Sequence, residues 1–307
     1  MIYLYSAFGL CIKSEIELRE LMPEPDANKI VDLHIRKANV IPELKALGEV
    51  PPSMDFENPD GVFMIWPGAA AIRIKDLSNI YIQGYPGVSE RYMAFPLLGP
   101  VMGWILHQRG SLVLHSSAVR LDGHSIAFLG DKRAGKSTTA AAFIKNGADL
   151  ITDDLLVINM KNSQQPMIQP SFAQIKLNED ASHRVDIPDS DALPLVIPNF
   201  PKRQYRLKSM VTQDVPCGAF FIIRREGETP KIEWADAGSG FQHLMRYSYN
   251  VRFYTAPIST QKRERHFKQC VELANSSKIG ILSIPQGINE LEETVQVVRK
   301  AMVDIQS

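Results

Sequence analysis

The sequence predicts a mixed α/β protein in two parts: a small β-rich domain over residues 1–95 and a larger α/β domain over residues 96–307. Three observations predict it. The first 95 residues read as short strands interrupted by Pro and Gly clusters. In the middle of the chain, an apolar run, Ser125-Ile126-Ala127-Phe128-Leu129, leads through a glycine-rich loop into a helical stretch. At the end, Leu291, Val295, Val298, Met302 and Ile305 recur at helical spacing, the mark of an amphipathic helix.

Composition fits this class. The chain has 307 residues, 45% hydrophobic and 22% charged, enough to build one large core or two smaller ones and too apolar for disorder. Lys plus Arg equals Asp plus Glu at 34 each, which argues against a general nucleic-acid coat. The zero hides a gradient: residues 1–100 carry net −4, residues 101–200 net −1 and residues 201–307 net +5. No apolar run reaches the roughly 18 residues of a membrane span, and Met1 to Tyr5 lacks the basic region of a secretory signal. Cys11, Cys217 and Cys270 are scattered and odd in number, which fits neither a disulfide framework nor a zinc site and points to a reducing, cytoplasmic setting.

In chain order, Val31 to Ile35, Val62 to Trp66, Ala71 to Ile74 and Ile80 to Ile82 are the expected early strands, with breaks at Val50-Pro51-Pro52 and Asn58-Pro59-Asp60-Gly61. Pro100 to Gln108 reads as a short buried helix with Pro100 in its first turn and Gly110 as its stop. Leu112 to Val119 and Ser125 to Leu129 are strands joined by an Asp122-Gly123 hairpin. A helix follows from about Lys136 to Asn146, stopped by Gly147. Asp149 to Thr152 and Leu155 to Ile158 are expected as two strands, and Ala219 to Ile223 and Gly280 to Ile284 as two more.

The strongest chemical signal is Gly130-Asp131-Lys132-Arg133-Ala134-Gly135-Lys136-Ser137, which matches G-x-x-x-x-G-K-[ST], with Thr138 next. A strand before it and a helix after it are what the chemistry needs: backbone N–H groups curl around phosphate oxygens and the helix N-terminus adds partial positive charge. In that role Lys136 reaches the β- and γ-phosphates and Ser137 ligates Mg²⁺. The competing reading is an ordinary strand-to-helix turn. Asp153-Asp154, at the end of an expected strand, is one helix and one strand beyond Lys136 and can return to the loop. One carboxylate would serve Mg²⁺ and the other would accept a hydroxyl proton; the competing reading is a solvated acidic turn. His115 lies on the strand expected to pair with the one entering the loop. Lys202, Arg203, Arg206 and Lys208 form a late basic cluster that fits a phosphate or an acidic substrate equally with a solvated edge.

Together these residues resemble the kinase domain of the HPr kinase/phosphorylase family: Leu114-His115-Ser116-Ser117-Ala118-Val119, then Gly130 to Thr138, then Leu150-Ile151-Thr152-Asp153-Asp154. The resemblance covers about 45 residues. It implies a P-loop core with extra strands, ATP and Mg²⁺ as cofactors, Asp153 as the base for a serine hydroxyl, Asp154 as a Mg²⁺ neighbour and His115 as support for the base and γ-phosphate. Tyr5 to Glu15, Leu98-Gly99-Pro100 and His107 to Gly110 are similar to the kinases of lasso-peptide biosynthetic clusters. That branch implies a precursor-peptide partner phosphorylated on its C-terminal serine, with no nucleic acid or membrane involved. The wider family includes hexamers, so a homo-oligomer stays open. Arg133 stands where the family has a third loop glycine, which strains the turn, reshapes the loop or places a phosphate contact there. Thr138 replaces the acidic residue of the bifunctional members, which lowers the expectation of phosphorolysis. A kinase of a folded carrier or a small molecule, and a nucleotide sensor without transfer activity, are the alternatives.

Overall fold

Alternating apolar residues near the N-terminus build the first sheet of a computed structural model that describes residues 1–41, 52–161, 165–185, 187–193, 202–253, 256, 258–287 and 290–305. It opens with a hairpin, β1 (Tyr3–Ala7) and β2 (Leu10–Ser14), turned by Phe8 and Gly9 at φ 59° and 71°. β3 (Met22–Pro23), β4 (Leu33–Lys37), β5 (Ser53–Asp55), β6 (Val62–Trp66), β7 (Ala70–Asp76) and β8 (Asn79–Gly84) follow. Their order is β3-β1-β2-β4-β8-β7-β6-β5, antiparallel except where β4 runs parallel to β2 and β8. The expected strand at 31–35 starts two residues later, while 62–66 is as expected. The hairpin escaped the sequence reading because Cys11 and Ile12 are both buried, which breaks the period-2 pattern. Val50 and Pro51 lie outside the described residues.

The helix expected at Pro100 begins instead at Glu90. Ser89 caps it, its hydroxyl accepting the Tyr92 N–H at 3.3 Å. α1 (Glu90–Pro96) runs through one π-helical turn, Leu97–Val101, into α2 (Met102–Gln108). Pro100 has no N–H to donate, and the wide turn absorbs it in mid-helix. Gly110 at φ 104° ends the run as expected. The boundary expected between residues 95 and 96 falls inside α1, and one apolar core joins β-sheet residues such as Leu33, Ile72 and Ile80 to Leu97, Ile105, Val113, Leu155 and Tyr249. Gly103 lets Tyr249 approach: a Cβ there would sit 2.3 Å from the ring.

The second sheet carries the glycine loop. β9 (Leu112–Leu121) and β10 (His124–Leu129) form the expected hairpin, and α3 (Lys136–Lys145) follows the loop. β11 (Asp149–Asn159) is one strand of 11 residues, a correction to the two expected; Asp153 and Asp154 sit in its middle, not at its end. β12 (Met167–Gln169), β13 (Gln174–Asn178), α4 (Glu179–Arg184), β14 (Ser190–Ala192), β15 (Lys202–Leu207), β16 (Val215–Pro216), β17 (Ala219–Arg225) and β18 (Lys231–Trp234) come next. α5 (Ala237–Tyr247), α6 (Thr260–Ser276), β19 (Lys278–Ile284) and α7 (Leu291–Asp304) complete the chain.

The order is β16-β12-β11-β9-β10-β17-β19-β18, with β10, β17 and β19 parallel; β13, β15 and β14 form a third, antiparallel sheet. The large sheets mix parallel and antiparallel pairs and pack against helices, so the fold is mixed α/β. α3 and α7 pack on one face of the second sheet, through Phe143, Val295 and Val298 against Phe128 and Phe221. Leu244 of α5 and Leu273 of α6 pack on the other, against Leu129 and Phe220. α3 is therefore apolar on most of its circumference, with Ala140, Ala141, Ala142 and Phe143 all buried. Among the described residues no helix is long and apolar enough to cross a membrane. The three cysteines are free thiols.

His107 in α2 is 2% exposed, with its ring 5.7 Å from that of His266. Burial, with the nearby His266 and Arg265 charges, pushes its pKa down to about 4. The folded state therefore binds fewer protons than the unfolded one as pH falls below the ordinary histidine value. Stability present at pH 7 is lost toward pH 4, with a loss of about 2 kcal/mol between pH 7 and 5 from this group. Urea unfolding of the wild type and His107→Gln at both pH values tests this: the variant should lose clearly less, and an equal loss would remove His107 as the cause.

Candidate active site

β10 delivers the chain into the loop at Gly130, and α3 leaves it at Lys136. Gly135 makes the turn possible: its φ is 98°, and a Cβ there would lie 2.2 Å from the Arg225 guanidinium. The Lys136 ammonium turns back onto the loop, donating to the Gly130 carbonyl at 2.8 Å and the Asp131 carbonyl at 3.2 Å. Arg133 is exposed at the apex with φ 72°, a left-handed conformation that costs a non-glycine residue about 1 kcal/mol or more. Of the other loop residues, Asp131 pairs with Arg246 of α5 at 2.9 Å, Lys132 is exposed, and Thr138 lies half-buried in the first turn of α3. Arg225, at the end of β17, donates to the Ala134, Pro285 and Gly287 carbonyls and so fixes the back of the loop. Burial pulls its pKa below the usual guanidinium value.

The two aspartates have different neighbours. Asp153 is 4% exposed. Its Oδ1 accepts the Ser117 hydroxyl at 2.5 Å and the Ser137 hydroxyl at 2.8 Å, and its Oδ2 accepts the Lys176 backbone N–H at 3.0 Å. In a flat strand Asp154 would point to the opposite face. Its φ of 89° turns it instead toward the face that His115 shares with Ser117. The Thr152 hydroxyl donates to the Leu155 carbonyl at 2.7 Å and braces this departure. His115 Nδ1 lies 3.0 Å from Asp154 Oδ1 and 3.2 Å from the Asp154 carbonyl; both are acceptors, so Nδ1 carries the proton. The Lys176 ammonium sits 3.5 Å from Asp154 Oδ2.

The fold thus brings together Lys136, Ser137, Asp153, Asp154 and His115, which span strands β9 and β11 and the start of α3. The late basic cluster arrives only in part. Lys202 and Arg206 share a face of β15 with Gln204, opposite Lys176 in register, and are half-buried. Arg203, in register with Leu177 of the apolar face, and Lys208, beyond the strand end, are exposed. Sequence reasoning missed Ser117, Lys176 and Arg225. Ser117 had a signal, its spacing of two from His115. Lys176 had none, because only the register of the third sheet brings it to Asp154.

The residues suit ATP and Mg²⁺. A hydroxyl and a carboxylate oxygen side by side, Ser137 and Asp153, are hard oxygen donors of the kind Mg²⁺ takes beside phosphate and water. Among the described residues no group of three or more His, Cys, Asp or Glu gathers into a metal cage.

No family model matches the chain, and no curated protein does. Among solved structures, the HPr(Ser) kinase/phosphatase from Coxiella burnetii overlaps 63% of this chain and 92% of its own, with a TM-score of 0.33 and 11% identity. The functional reading rests on the site's own residues.

Replacing Arg133 with glycine relieves the left-handed backbone, so Arg133→Gly is expected to stabilise the nucleotide-free protein by about 1 kcal/mol. Thermal unfolding checks the gain, and ATP affinity measured on the same sample separates the two readings of Arg133: affinity falls only where the guanidinium contacts phosphate.

Proposed function

We propose that the protein is an ATP-dependent kinase that phosphorylates a serine hydroxyl. The observation that carries this reading is the pairing of Ser137 with Asp153 at the start of α3, beside a second carboxylate, Asp154, held by a different set of partners. When bound, ATP with Mg²⁺ supplies the phosphoryl group: the acceptor oxygen bonds to the γ-phosphorus, the bridging oxygen departs with ADP, and the hydroxyl proton leaves to a carboxylate. The loop N–H groups and the α3 terminus bind phosphate, and Lys136 exchanges its carbonyl partners for phosphate oxygens. Positioning and charge neutralisation supply most of the acceleration.

The neighbours of the two aspartates support roles opposite to those the resemblance implies. Asp153 already accepts three hydrogen bonds and adjoins Ser137, which suits the cation side. Asp154 is about a quarter exposed and is oriented by the His115 N–H and Lys176, which suits the base that takes the hydroxyl proton. The acceptor we favour is a serine at the end of a precursor peptide, as the similarity to lasso-cluster kinases implies, acting in the cytoplasm.

Lys136→Ala is expected to weaken ATP binding by roughly tenfold or more, read by calorimetric titration; unchanged affinity would undo the phosphate-loop assignment. Asp154→Asn should abolish phosphate transfer to serine peptides while ATP still binds, and Asp153→Asn should raise the Mg²⁺ requirement, both read by mass spectrometry and nucleotide titration. The opposite pattern returns the base to Asp153. ATP binding without transfer to any acceptor favours a nucleotide sensor.

A further inference from the structure

Beside Asp154 lies a polar cluster that the phosphate loop does not use. Lys176 of β13 reaches Asp154 and passes over the Phe95 ring at 5.4 Å. One turn earlier on the same helix, Arg91 donates from Nη2 to Gln204 Oε1 at 2.9 Å, and Gln204 stands opposite Lys176 in the β13–β15 register. Gln174 and Arg206 form the next pair on that face. Glu20, from the loop between β2 and β3, closes the cluster: its carbonyl accepts the Ala173 N–H at 3.2 Å, and Arg91, Lys176 and Arg206 all act on its charge. Despite these cations, burial raises the Glu20 pKa above the usual carboxylate range.

The floor of this cluster is unsatisfied. Glu20 and Gln174 are 4% and 3% exposed, and Glu20 Oε2, Gln174 Oε1 and Arg91 Nε are buried without a hydrogen-bond partner. A buried polar atom left unpaired costs about 1–3 kcal/mol, so three together mark a place completed by something else. The walls are open: Arg91, Phe95, Lys176 and Arg206 are each half-buried. A partner that reaches these atoms would bring donors to two acceptors and an oxygen acceptor to one donor. Three cations, Arg91, Lys176 and Arg206, face two carboxylates, Glu20 and Asp154, and the one positive charge left over adds a preference for a single negative charge. Amide N–H groups followed by a carboxylate fit that list. A sugar hydroxyl brings donors without charge, and a phosphate brings charge with O–H but no N–H donors.

Resting on the kinase reading above, we propose that Glu20, Arg91, Gln174 and Gln204, with Lys176 and Arg206, form the acceptor subsite, and that it binds a peptide segment bearing a carboxylate, which presents the acceptor hydroxyl to Asp154. The subsite thus joins the loop after β2 and α1 to the third sheet, beside Asp154 of the second.

The test uses the full chain with ATP and Mg²⁺ and two pools of serine-containing tetrapeptides, one with free C-terminal carboxylates and one capped as amides, with phosphate incorporation read by mass spectrometry. The wild type should phosphorylate the free-carboxylate pool with a KM roughly tenfold lower than the capped pool. Glu20→Gln and Arg91→Gln should each raise the KM for the free pool by roughly tenfold, and Arg91→Gln should erase the difference between pools. ATP affinity serves as the check that each variant has folded, and Arg91→Lys, which keeps the charge, should recover part of the loss. Equal KM values for the two pools, or variants that match the wild type, would overturn the subsite. ATP binding with transfer to neither pool, or absence of ATP binding by the wild type, would instead overturn the kinase reading on which it rests.

Discussion

The site depends on one buried carboxylate. Asp153 accepts from Ser117 on β9, Ser137 at the head of α3 and the Lys176 backbone on β13, so a single residue of β11 ties three other elements together. Hydrogen bonds to a charged acceptor are worth about 1.5–3 kcal/mol each, and a carboxylate this deep persists only if its lone pairs are filled. The same three bonds place the Ser137 hydroxyl and bring the third sheet against the centre of β11. Lys176 can reach Asp154 because its own backbone N–H is held by Asp153. The loop, the acid pair and the basic strand pair are therefore parts of one hydrogen-bonded unit.

A second constraint joins the N-terminal sheet to that unit. The helical run from Glu90 to Gln108 packs on the first sheet, and its C-terminal half meets Tyr249, whose ring lies 6.3 Å from that of His115. One apolar core holds Leu33 and Ile80 together with Leu155 and Val157 of the strand that carries the aspartates. Packing of this kind resists relative movement because each side chain fills space left by the others. The first sheet therefore shares one apolar core with the strand that carries the aspartates.

Much of this was legible in the chain. The glycine loop, its entering strand and its helix follow from Gly130, Gly135 and Lys136 with an apolar run before them, and the Asp122-Gly123 hairpin from turn chemistry. Asp153-Asp154 and His115 could be singled out by type and order. What they touch could not, because the contact depends on a left-handed residue in mid-strand. A period-2 pattern treats Asp153 and Asp154 as opposite-facing, or as a break between two strands, and the φ of Asp154 is visible only in three dimensions. Pro100 misled for a related reason: proline usually starts a helix, and the π-helical turn that tolerates it inside one is rare. Glu20 and Arg91 carried no signal: each follows an opposite charge directly, Arg19 and Glu90, and only long-range packing brings the two together.

Lys136 has a last consequence. Its ammonium is not loose in solvent but bonded to two carbonyls of its own loop. The loop and its lysine thus brace each other's geometry. On the kinase reading proposed above, phosphate entry is an exchange of partners on a preset frame, so little ordering entropy opposes it. The affinity then measures how much better a phosphate oxygen satisfies that ammonium than a peptide carbonyl does. On the same reading, such a loop would release a nucleotide without unravelling, which favours repeated turnover over tight retention.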